Sequence, residues 1–283
     1  MAEKNQIKAG ALYVVGTPIG NLSDFSDRAV ETLRAVDFIA AEDTRVTVKL
    51  LNRFEIKKPL ISYFEHNKQF KGEYICGRIM GGESCALVSD AGMPAISDPG
   101  ELLVAQCAER NIPVYVVPGP SAVISALAVS GLPTGRFTFE GFLSMNKKSR
   151  KEHLADIISE KRTMVFYEAP HKLFNTLEDL RGALGNRRIA IVRELTKMHE
   201  EVLRTTLAEA VEHYKENTPK GEFVLVIEGN TEIPEKKMYS LEEAAEIARE
   251  RMNAGVSASE AAKSVSSVTG LKKGDIYKYL SRN

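Results

Sequence analysis

Short β-branched runs alternating with longer amphipathic stretches constrain this chain more than any other feature. The runs fall at 11–16, 37–42, 59–64, 85–90 and 113–118, and apolar residues recur at helical spacing between them. Parallel strands need a crossover of about a dozen residues or more, usually a helix, so the alternation predicts βαβ units around a mostly parallel sheet. Two intervening segments carry helix starts: "SDRAVETLRAV" offers Ser26 or Asp24 as a cap, and "PGELLVAQCAERN" places Pro99 in a first turn.

At "GLPTGR" (131–136) the pattern breaks, and strand candidates resume at 137–143, 163–169, 187–194, 200–206 and 222–228. "RRIAIVREL" and "EEVLRTTL" lie too close together for a helix between them, which predicts antiparallel pairing and a mixed second sheet. Beyond "GNTEIPEKK" the composition shifts to Ala, Glu, Lys and Ser. Three short helices are expected there, with Ser240 and Glu243 as a capping box and Gly255 and Gly270 as stops. The expected fold class is therefore α/β: an N-terminal α/β domain over 1–118, a second over 119–230, a linker over 231–239, and a helix-turn-helix-like unit over 240–283.

Charge gives no global direction. Lys+Arg and Asp+Glu both number 38, so nothing steers the whole molecule toward nucleic acid or a membrane, and any RNA contact must come from local patches. The apolar runs are far shorter than the roughly 20 residues that span a bilayer, and a soluble cytoplasmic protein is expected. Cys76, Cys85 and Cys107 lack metal-ligand spacing and read as buried, inert thiols; the five histidines are scattered, and no metal site is expected.

Four strand candidates run into unusual loops: "GTPIGNLSD" (16–24), "EDTR" (42–45), "SDAGMPAISDPG" (89–100) and "PGPSA" (118–122). Proline fixes φ and glycine permits positive φ, so these are sharply turned segments with exposed backbone amides. In an open α/β sheet the carboxyl ends of the strands converge on one crevice, and four such loops can share one ligand site. Fingerprints for dinucleotides, nucleoside triphosphates, zinc proteases and serine hydrolases are all missing.

"LYVVGTPIGNLSD", "AAEDTR", "SDAGMPAISDPG", "VPGPSA", "FYEAPH" and "VRELTKMHEE", in that order, closely resemble the ribosomal RNA small subunit methyltransferase I family of the tetrapyrrole methylase fold group. The resemblance runs from about residue 11 to 230, with a helix-turn-helix appendage after it. It implies S-adenosylmethionine-dependent 2′-O-methylation of a cytidine in the decoding region of 16S rRNA, on the assembled 30S subunit, by a homodimer whose cofactor lies between two α/β domains. Many tetrapyrrole-acting relatives carry a G-x-G-P-G-D first loop; Gly16-Thr-Pro-Ile-Gly-Asn departs from it and favours the RNA branch.

Transferred to this chain, the resemblance puts Pro18, Asp90, Ala91, Gly92, Ser121 and Ala122 at the cofactor, joined by Tyr167, Glu168, Arg193, Glu194 and Gly221 from the second domain. Plainer readings stand beside these: Asp98 capping a helix, Tyr167 in a core, Glu168 bonded to His171 at a helix start. For catalysis, Glu42 or Asp43 is expected to serve as base and Arg45 to hold a phosphate, against Asp43 as a helix cap ion-paired to Arg45; Glu65 and His66 stand at the next strand end. Basic clusters at 146–151, Arg187-Arg188 and 271–282, the last with Tyr277 and Tyr279, suit RNA or a solvated helix face equally. The rivals are a methyltransferase for a tetrapyrrole precursor, and a non-catalytic RNA-binding protein.

Overall fold

The computed structural model describes residues 6–231 and 239–282. The chain divides into Met1–Asn230 and Thr231–Asn283, taken separately below. Of the linker expected over 231–239, residues 232–238 lie outside the described residues.

The first unit contains two five-stranded sheets. Strands β1 (Leu12–Val15), β2 (Phe38–Ala41), β3 (Leu60–Ser62), β4 (Cys85–Val88) and β5 (Val114–Val117) lie in the order β3-β2-β4-β1-β5, every neighbour parallel. Period-two alternation sends Tyr13, Val15, Ile39 and Ala41 to one face, and Leu12, Val14, Phe38 and Ala40 to the other. Helices cover both faces, so β1, β2 and β4 are buried throughout, as a parallel sheet requires. The three cysteines are buried and unbridged; Cys76 and Cys107 meet at 3.8 Å between helices Lys68–Met80 and Gly100–Glu109.

Strands β6 (Phe137–Gly141), β7 (Thr163–Glu168), β8 (Arg188–Arg193), β9 (Glu201–Thr206) and β10 (Phe223–Ile227) form the second sheet, in the order β6-β7-β10-β8-β9. Only β6 and β7 pair parallel; the antiparallel β8–β9 pair is the one the short spacing predicts. Of the two caps offered for helix Asp27–Ala35, Ser26 is the one used, accepting from the Ala29 N–H, while Asp24 ends a 3₁₀ turn. Pro99 stands one residue outside helix Gly100–Glu109, at its cap position.

Two backbone contacts bring the strand-end loops together. Gly16 and Gly119 lie back to back, so close that a Cβ on Gly16 would come within 2.6 Å of the Gly119 Cα. Thr17 and Gly92 exchange both backbone hydrogen bonds, at 2.9 and 3.1 Å, and Gly92 takes φ 83° to do so. The loops after β1, β4 and β5 are thereby fixed to one another.

In the second unit, helices Leu241–Asn253, Ala258–Thr269 and Lys273–Arg282 enclose Ala244, Ala248, Ala261, Ala262, Val265 and Ile276. Mostly methyl-sized side chains let three short helices close on a small core. Ser240 and Glu243 form the expected capping box, and Gly255 and Gly270 follow their helices at φ 94° and 73°. Among the described residues no helix is long and apolar enough to cross a membrane.

Gly16→Ala must push the two loops apart, and overpacking of this kind costs about 1–3 kcal/mol. Gly77→Ala, in an exposed helical position with nothing within 4 Å of the added methyl, should instead gain about 0.5–1 kcal/mol from helix propensity. Denaturant melts of both variants check the opposite signs.

Candidate active site

The carboxyl ends of the first sheet face the second sheet across a cavity of about 640 Å³. That volume lies within the range of about 300–1,000 Å³ typical of small-ligand sites. One wall comes from the β4 loop and the start of helix Ala122–Val129, which bring Asp90, Ala91, Gly92, Ser121 and Ala122 to the cavity. The opposite wall is the end of β7, with Tyr167 and Glu168, and the start of β10.

The β4 loop holds a demanding conformation. Ala95 and Ser97 adopt φ of 66° and 62°, a region that side chains with a Cβ seldom enter. Asp98 offsets the strain by accepting from the Ala95 N–H at 2.9 Å and the Gly100 N–H at 2.7 Å. It therefore both ties the loop back on itself and caps the following helix, while its side chain borders the cavity. Burial raises its pKa.

Carboxylates supply the charge of a largely apolar lining. Glu42, Asp90, Asp98, Glu168 and Glu222 all border the cavity, and among the described residues no lysine or arginine does. Burial pushes Glu42 above the ordinary carboxylate range, and the nearby charges of Asp90 and Asp98 push it the same way. Asp90 is raised chiefly by burial, then by Asp43. Glu168 is only 3% exposed; it accepts from the Thr176 hydroxyl at 2.5 Å and the Ala169 N–H at 2.8 Å, so its hydrogen-bond partner is Thr176 rather than His171. Arg150 donates to the same Thr176 hydroxyl, which links the buried carboxylate to the basic helix Lys147–Asp156.

Tyr167 packs edge-on against Phe139 and tilted against Phe142, with ring centroids 5.0 and 5.6 Å away, so it is at once a core aromatic and a cavity wall. Arg193, Glu194 and Gly221 stand behind the lining. Arg193 donates to the Lys220 carbonyl, and Glu194, at φ 49°, accepts from Lys197 and from the Glu222 N–H. Gly221, at φ 93°, has no room for a Cβ beside the Glu194 side chain. Together these three set the turns that present Leu195, Glu222 and Phe223 to the cavity.

Pro18 lines a separate, smaller cavity, and Ile19 is the residue of its loop that reaches the large one. Asp43 caps helix Thr44–Arg53 through the Arg45 N–H and is ion-paired with Arg45 at 2.6 Å, which holds its carboxyl down to about 2. The Asp43 N–H donates to Asp90, fixing one strand end to the next. Neither Asp43 nor Arg45 borders the large cavity; Glu42 does. Sequence reasoning missed Phe142, His171, Leu195 and Glu222 on the lining. Each directly follows or lies within a singled-out motif or strand end, and that adjacency was the available signal. Among the described residues no group of three or more His, Cys, Asp or Glu could hold a metal ion.

This lining suits S-adenosylmethionine. Carboxylates answer the sulfonium and ammonium charges, loop amides and hydroxyls answer the carboxylate and ribose, and Ile19, Phe142 and Leu195 offer apolar surface for an adenine.

Residues 11–211 match the family model described as Tetrapyrrole (Corrin/Porphyrin) Methylases. The chain is 49% identical over 270 residues to the ribosomal RNA small subunit methyltransferase I of Synechocystis sp., covering 95% of this chain and 96% of that protein. It is 43% identical over 277 residues to the protein of the same name from Escherichia coli O157:H7, covering 95% and 94%. Among solved structures, diphthine synthase superposes with a TM-score of 0.60 at 14% identity, covering 78% of this chain and 90% of that one. Uroporphyrin-III-C-methyltransferase from Thermus thermophilus superposes at 0.56 and 18%, covering 77% and 94%. These two likenesses establish the fold.

Because the pKa of Glu42 is raised on folding, its ionisation opposes the fold: the native state is unaffected below the unfolded pKa and loses stability as pH rises through the folded one. Glu42→Gln should therefore melt higher than the parent at pH 7 and match it near pH 4, about the unperturbed value for glutamate. Thermal unfolding of both proteins, without cofactor, across that range checks the sign.

Proposed function

We propose, because this chain belongs to the ribosomal RNA small subunit methyltransferase I family within the tetrapyrrole methylases, that it methylates the 2′-hydroxyl of a cytidine in the decoding region of 16S rRNA on the assembled 30S subunit. The chain is a methyltransferase whose methyl donor is S-adenosylmethionine. The observation that carries the proposal is the pairing of near-full-length identity to these relatives with an acidic cleft at the strand ends, suited to a cationic donor. A cytoplasmic location follows from this substrate. The exposed Val114 and Val116 on edge strand β5 support a homodimer, in which a second copy would cover them.

When bound, S-adenosylmethionine supplies an electrophilic methyl carbon on sulfur, which is left as a neutral thioether. Asp90, Ala91, Gly92, Ser121 and Ala122 hold the donor from the first sheet, and Tyr167 and Glu168 from the second. Arg193, Glu194 and Gly221 act from behind by shaping the loops that touch it, and Pro18 serves the neighbouring cavity. Glu42 is the base: it borders the cleft, and its raised pKa makes it a better proton acceptor than Asp43, whose carboxyl is committed to Arg45. The Glu42 carboxylate would take the proton that the ribose hydroxyl gives up on methylation. Alignment of the hydroxyl with the methyl group supplies much of the rate.

Purified protein given methyl-labelled S-adenosylmethionine should label 30S subunits that lack the modification, on one decoding-region cytidine ribose, and leave naked 16S rRNA unlabelled. Label on a tetrapyrrole precursor alone would keep the donor and reject the RNA substrate. In the same assay Glu42→Gln should lose about 10²–10⁴-fold in kcat while calorimetry finds the donor still bound; Asp43→Asn should retain most of its turnover.

A further inference from the structure

The smaller cavity, of about 410 Å³, lies beside the cleft and shares two wall residues with it, Ser89 and Asp90. Apart from the shared Asp90, its charged side chains are basic where its neighbour's are acidic. Leu22, from the turn after β1, and Val46, from the first turn of helix Thr44–Arg53, are 46% and 39% exposed and form apolar surface. Lys49 and Arg53 flank them one helical turn apart, both exposed, and neither pairs with a carboxylate among the described residues. Like charges at that spacing repel each other, so the helix keeps two cations together at its own expense.

The two cavities sort charge between them. A phosphate is repelled from a cleft bordered by five carboxylates, so an RNA strand whose ribose enters the cleft must lay its phosphates outside it. The basic rim across the Ser89–Asp90 wall is the adjoining position with cations to receive one. Apolar side chains beside it give an unstacked base a surface to lie on, the usual combination in single-strand RNA recognition.

We infer that this second cavity binds the nucleotide adjacent to the methylated one, its base against Leu22 and Val46 and its phosphate between Lys49 and Arg53. The inference rests on the RNA reading above. Lys49 and Arg53 are positioning residues: they set which ribose of the strand reaches the cleft and take no part in methyl transfer.

Lys49→Ala/Arg53→Ala should be compared with the parent for labelling of unmodified 30S subunits over a range of salt, with S-adenosylmethionine affinity measured by calorimetry. The expected result is a fall of about tenfold or more in kcat/KM for subunits, and a plot of log(kcat/KM) against log[salt] shallower by about 0.7, the loss of one phosphate contact on a single strand. Donor affinity should not change. Parent-like kcat/KM and slope in the double variant would overturn the second cavity while leaving the RNA reading intact. A fall matched by lost donor affinity would also overturn it, since the cations would then be acting through the fold. If the parent protein itself labels no subunits, the RNA reading fails and the inference falls with it.

Discussion

The close contact between Gly16 and Gly119 is the constraint from which the active-site geometry follows. Two loops that leave parallel neighbours β1 and β5 would ordinarily splay apart, each needing room for its own side chains. With no Cβ on either residue the backbones touch, and the Thr17–Gly92 hydrogen-bond pair draws in the β4 loop as well. Three strand ends then behave as one rigid rim, and the strained Ala95–Ser97 turn can persist because Asp98 and this rim over-determine it.

Across the cleft the second sheet uses the same device with different chemistry. Gly221 comes against the Glu194 side chain, which in turn accepts from the Glu222 N–H and is held by Lys197. A buried Glu168, kept in place by Thr176 and through it by Arg150, completes the wall. Burial first, and then the charge of neighbouring carboxylates, raises the pKa values of Glu42 and Asp90 above their usual values, which is tolerable where a cationic ligand is to be received. The zero net charge of the chain conceals this arrangement: acid lines the cleft, while base lies on the neighbouring helix at Lys49 and Arg53.

Much of the site was legible because its residues lie in turns that break the hydrophobic pattern. "SDAGMPAISDPG" and "PGPSA" announce themselves by glycine and proline, and Asp90 to Gly92, Ser121 and Ala122 all border the cleft. "AEDTR" was harder to resolve. Two adjacent carboxylates look equivalent in sequence, yet side chains alternate about a strand end, so Glu42 turns to the cleft while Asp43 turns to the helix it caps. Phe142, Leu195 and Glu222 lie within or beside singled-out segments, yet nothing local marks them as the residues that face the cleft, since what makes them lining residues is a sheet packed opposite.

The sequence by itself determined the ten strands, the antiparallel β8–β9 pair, the Ser240–Glu243 capping box and the family, because each depends on local periodicity, turn chemistry or an ordered set of motifs. The tertiary structure alone decided which loop residue faces which cavity: Ile19 rather than Pro18 toward the cleft, and Arg193, Glu194 and Gly221 behind its lining rather than on it. The physical reason is that orientation at a strand end is fixed by backbone contacts between segments far apart in the chain. Gly16 with Gly119, and Thr17 with Gly92, are such contacts, and no window of the sequence contains both partners.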